Sequence, residues 1–153
     1  GFAINQAGPR DSSTGFPIGG NAEFINSFEL RTPAIGLPYV GENLSAVLFH
    51  DLGNVFDNTN RLFNGIFRFH QPNQEQCRTD PNSACNFNFS SNAIGAGVRY
   101  RTPIGPVRVD FGYNLNPPLY HRTVTDPQDP NQTVFETTHT QRLNVFFSIG
   151  QTF

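Results

Sequence analysis

From Val107 to Tyr113 the chain alternates without a break. Val107, Val109, Phe111 and Tyr113 share one face, and Arg108, Asp110 and Gly112 share the other. Successive side chains point to opposite faces only in an extended strand, so a period of two marks this segment as β. The preceding segment behaves alike: Ile94, Ala96, Val98 and Tyr100 alternate with Gly95, Gly97, Arg99 and Arg101. Between them Thr102-Pro103-Ile104-Gly105-Pro106 supplies the breakers of a short turn, so the two strands are expected to form a hairpin. The C-terminal segment repeats the pattern. Leu143, Val145, Phe147, Ile149 and Phe153 share a face interrupted by Gln151, against Arg142, Asn144, Phe146, Ser148, Gly150 and Thr152. Leu44 to Phe56 sets Leu44, Ala46, Leu48, His50 and Leu52 against Ser45, Val47, Phe49, Asp51 and Gly53. Asn21 to Thr32 sets Phe24, Phe28 and Leu30 against Glu23, Ser27, Glu29 and Arg31.

Five strands are therefore expected, near 20–32, 44–56, 92–102, 106–114 and 142–153. Each is about as long as the roughly 9–11 residues that cross a bilayer as a tilted strand. The connections alternate in length. Residues 33–43 and 103–105 are short links rich in Pro and Gly, whereas 57–91 and 115–141 are long, polar and rich in Asn, Gln and Pro. Membrane barrels alternate short periplasmic turns with long outer loops in this way. A soluble antiparallel sheet with one face on a core is the alternative. It gives no reason for Arg and Asp beside glycines on the polar face, nor for loops beyond ordinary hairpin length. The expected fold class is all-β, an antiparallel transmembrane β-barrel. Single-chain barrels begin at about eight strands, so five are expected to be part of a larger barrel or to assemble with other copies. Residues 1–19 supply no clear strand.

Composition narrows the function classes. The chain begins Gly1-Phe2 rather than with Met, which suggests a cut or processed end with any export signal upstream. A net charge of −2, with all ten basic residues Arg, argues against nucleic-acid binding. No apolar run is long enough for a transmembrane helix, and a mean hydropathy of −0.39 does not exclude a barrel whose strands alternate. Cys77 and Cys85 lie in a polar segment. Two cysteines make a weak metal site, and a loop disulfide in an oxidising compartment is the better reading, with free thiols the alternative. His50, His70, His121 and His139 are dispersed, and His50 falls on an apolar face near a strand end, where an interfacial place is expected. No nucleotide-binding glycine motif and no EF-hand pattern occurs. No enzyme activity, cofactor or metal is expected.

Three stretches carry a resemblance. Asn21 to Arg31, Phe49 to Asp57 and Gly95 to Phe111 resemble the closing strands of the BamA superfamily, which comprises outer-membrane insertases, TamA-like assembly proteins and two-partner secretion transporters. The resemblance spans residues 1–153 apart from the interiors of the two long loops. It implies the C-terminal five strands of a sixteen-stranded barrel, with 1–19 as the remainder of a loop folded into the lumen. Gly1-Phe2 look like the end of the family's Val/Leu-Arg-Gly-Phe motif at the tip of that loop, and the arginine would directly precede Gly1. The resemblance implies that this arginine pairs with Glu29 and with Asp51, the latter in a Phe-x-Asp-x-Gly motif formed by Phe49, Asp51 and Gly53. Gly53 and Gly97 would admit close approach of backbone or loop.

Asn144 to Phe153 looks like the family's last strand, and its alternation ending in an aromatic fits an outer-membrane assembly signal carried by Phe147, Ile149, Gly150 and Phe153. The implied function is folding and inserting β-barrel clients into the bacterial outer membrane through a seam at this strand. TamA-like or two-partner secretion barrels are the alternative, as is a segment that self-associates through open strand edges. The implied partners are outer-membrane lipid, client β-barrels and periplasmic accessory lipoproteins.

Overall fold

The computed structural model describes residues 6–38, 41–80 and 82–150; Gly1, Phe2 and Phe153 lie outside the described residues. Its frame is one antiparallel sheet. Strands β1 (Ala22–Arg31), β3 (Gly41–Phe56), β4 (Ser91–Thr102), β5 (Gly105–Asn114) and β8 (Leu143–Ile149) lie side by side in that order. A short β2 (Ile35–Leu37) continues the line of β1 along β3. The stretch 33–43, expected as a link, is thus largely strand. Pro33 has no N–H to offer a ladder, so the line breaks there. Thr32 fills the gap: its Oγ1 accepts from Ala46 N at 2.9 Å, and its N–H donates to Ala46 O at 2.9 Å.

The register sorts the side chains into rows. On one face run Phe28–His50–Ile94–Tyr113–Leu143 and Leu30–Leu48–Ala96–Phe111–Val145. On the other run Glu29–Phe49–Gly95–Gly112–Asn144 and Arg31–Val47–Gly97–Asp110–Phe146. Nothing among the described residues covers the first face: Leu48 is 58% exposed, Phe28 and Phe147 65%. Soluble monomers rarely leave so large an apolar patch open. His50 sits within this face, half-buried, with Nε2 3.3 Å from Asn92 Oδ1.

The buried side chains lie mostly at one end of the sheet. Phe56, Phe89, Ser90, Ser91, Asn114, Pro118 and Cys77 are all essentially inaccessible. The two long connections fold together there, and they hold more structure than loops of polar composition suggest. Residues 57–91 contain α1 (Thr59–Gly65) and α2 (Gln74–Thr79), and 115–141 contain a second hairpin, β6 (Leu119–Thr125) with β7 (Thr133–His139). Gln71 bonds both backbone groups of Leu119, at 2.7 and 2.9 Å. Asn116 Nδ2 donates to Phe69 O and Ser90 O, each at 2.9 Å. Cys77 and Cys85 form a disulfide, and His121 Nε2–H donates to Cys77 O at 2.6 Å.

Candidate functional site

The polar face gathers charge because its strands alternate Arg and Asp or Glu with small residues. Ser27, Glu29, Phe49, Asp51, Arg99, Arg108, Asp110, Phe146 and Ser148 line one pocket on it. Glu29 is held twice: Arg99 Nη1 lies 2.6 Å from its carboxylate and Arg31 Nε 2.9 Å. Arg99 faces Arg108 directly across β4 and β5. Like charges so placed repel, and each is drawn to a carboxylate, Arg99 to Glu29 and Arg108 to Asp110 at 3.3 Å. Asp51 accepts from Ser27 Oγ at 2.5 Å, across the β1–β3 pairing.

Glycines make this arrangement possible. A Cβ on Gly95 would run into the Phe49 ring, and one on Gly97 into the Asp110 carboxylate. The ring and the carboxylate therefore lie flat on bare backbone. Gly53 pairs with Ile25, and a Cβ there would stand 2.6 Å from Phe24 O. The structure thus brings Glu29, Phe49 and Asp51 into one pocket, with Gly53 at its margin beside Asp51 in the adjoining one. Arg99, Arg108 and Asp110 were visible in the alternation as polar-face residues, but spacing alone does not reveal that Arg99 reaches across β3 to Glu29.

The second part of the site is the edge of β8. Pairing with β5 covers Val107↔Ile149 to Tyr113↔Leu143, and flanking bonds run from Asn114 N to Arg142 O and from Gly150 N to Pro106 O. In an antiparallel ladder the bonded residues alternate, so Asn144, Phe146 and Ser148 turn their backbone to β5. Leu143, Val145, Phe147 and Ile149 turn theirs to the other edge, which no strand among the described residues pairs. These four also carry the exposed apolar side chains of the strand.

A segment from Gln6 onward packs on the polar face and against the outer connections. Gln6 and Asn144 exchange two amide hydrogen bonds, each 3.0 Å. Gly8 N donates to Asn54 Oδ1 at 2.6 Å. Ser13 O accepts from Thr123 N and Oγ1, and the Arg10 guanidinium stacks 4.4 Å from the Tyr120 ring centroid. Asp11 closes the turn between: Ser13 and Thr14 hydroxyls and amides all bond its carboxylate, and these bonds hold its pKa well below the usual carboxylate range. One set of metal-type ligands occurs among the described residues, Cys77, Cys85 and His121. With the sulfurs joined as a disulfide they are not thiolates, the form that binds metal.

A family model described as the Omp85 superfamily domain matches residues 1–153. No curated protein and no solved structure matches the chain.

Proposed function

The chain belongs to the Omp85 superfamily, a family of outer-membrane proteins, and from that premise we propose that it is the C-terminal wall of a BamA-like insertase. In this reading the sheet joins preceding strands in a sixteen-stranded barrel whose seam lies at β8, and opening that seam frees the outer edge of β8 for a client. The exposed apolar face meets lipid, the ion-paired face lines the lumen, and the end carrying the disulfide and the β6–β7 hairpin faces outward. The short connections β2–β3 and β4–β5 face the periplasm, where accessory lipoproteins would dock on the full-length protein.

The observation that carries the proposal is the edge of β8. Leu143, Val145, Phe147 and Ile149 present backbone N–H and C=O groups on a strand whose apolar face suits lipid. Each such group left unpaired in a bilayer costs several kcal/mol. A client strand entering the membrane carries the same deficit, and pairing with β8 removes both at once by β-augmentation. No covalent chemistry is required.

Reconstitution of the full-length protein tests this. Liposomes containing it should fold an added urea-denatured client barrel faster than protein-free liposomes do. Passage of a secreted polypeptide into the liposome interior, with no acceleration of barrel folding, would overturn the insertase reading in favour of a secretion transporter.

A further inference from the structure

We infer that Gln6 and Asn144 clamp β8 from the polar face of the sheet, and that this clamp keeps β8 ordered without occupying its outer edge. Among the described residues β8 is held by one ladder of seven residue pairs, whereas the β1–β3, β3–β4 and β4–β5 ladders each hold ten. A short edge strand of this kind is prone to fray. The Asn144 side chain leaves β8 on the polar face, opposite Gly112. There its amide and that of Gln6 satisfy each other reciprocally at 3.0 Å, and Gln6 Nε2 also donates to Gln141 O at 3.3 Å. Both residues are buried, Gln6 7% and Asn144 5% exposed.

Two residues on, Gly8 N is fixed to Asn54 of β3, and Asn54 is itself fixed by its Nδ2 to Phe87 O at 2.8 Å and Phe89 O at 2.5 Å. The segment therefore ties β8 to β3, with β4 and β5 lying between them in the sheet. The hold is through a side chain. The backbone groups of Leu143, Val145, Phe147 and Ile149 remain available for a client, so Gln6 is a positioning residue for the strand that receives it. This functional meaning rests on the insertase reading.

Hydrogen exchange of the full-length protein in lipid nanodiscs, with no client present, tests the clamp. Gln6→Ala and Asn144→Ala are each expected to raise exchange at positions 144, 146 and 148, whose amides bond β5, roughly five- to tenfold, the effect of losing a buried amide pair. The double variant should fall well short of the product of the two singles, because the two share the amide pair. Exchange in β1 and β3 should stay as it was. Unchanged exchange at these positions, or a double variant equal to the product of the singles, would overturn the clamp. If Asn144→Ala does not assemble, Gln6→Ala and Gln6→Glu, which alter no sheet residue, are read by the same criterion. Because no client takes part, failure here is separate from failure of client folding in liposomes.

Discussion

At the scale of single residues the polar face is governed by two things, paired charge and absent side chains. Arg99 is mostly buried and its charge is compensated by Glu29. Glu29→Gln should lower barrel stability by about 1–2 kcal/mol, between the values for exposed and buried pairs. The midpoint of the heat-induced gel-mobility shift of the folded barrel measures it. Gly95→Ala places a methyl group against the Phe49 ring and Phe111 O, and overpacking of this kind should cost about 1–3 kcal/mol in the same assay. Asp11 gives a pH signature. Its hydrogen bonds from Ser13 and Thr14 favour the ionised form. The folded pKa lies below the unfolded one, so the turn's contribution is complete above about pH 4 and is lost as the pH falls through the folded value. Exchange at residues 11–15 should therefore stay slow from pH 7 to 5, and Asp11→Asn should speed it at neutral pH. The sequence made Glu29 and Asp51 legible because both stand on the polar side of an alternating strand. It did not show Arg99 as the partner of Glu29, since that contact depends on how three strands are aligned.

At the scale of elements, a strand writes its own period and a loop does not. The period of two in 107–113 and 94–100 marks β5 and β4 directly, because each side chain answers only to the face it meets. The outer connections follow another rule. Their order comes from long-range polar contacts such as Gln71 with Leu119 and His121 with Cys77, and nothing in local composition announces which Asn or Gln will find which carbonyl. The hairpin of β6 and β7 and the two short helices are for that reason not legible in local sequence. The disulfide staples this cap, closing a short loop between α2 and the following turn. Replacing Cys77 and Cys85 together with Ser should cost the cap about 2–3 kcal/mol by loop-closure entropy. Limited proteolysis should then cut within 74–86, while the pairing of β3 with β4 stays protected. Equal exposure of both regions would mean that the cap and the sheet unfold as one unit.

At the scale of the whole molecule, the sheet is turned inside out relative to a soluble one: Arg99 and Asp110 are largely covered within their ion pairs, and the apolar face is open. That inversion and the family match over residues 1–153 support a membrane wall, in which β8 is an edge strand of the described sheet. Photocrosslinking along β8 tests the proposed client pairing most directly. With a photoreactive residue replacing Ser148 in the full-length protein, a client stalled during insertion should be captured through its own edge strand. Moving the probe two residues to Phe146 should shift the captured client position by two, as an antiparallel or parallel register demands. No capture of the client at either position, while the client still inserts, would contradict the account.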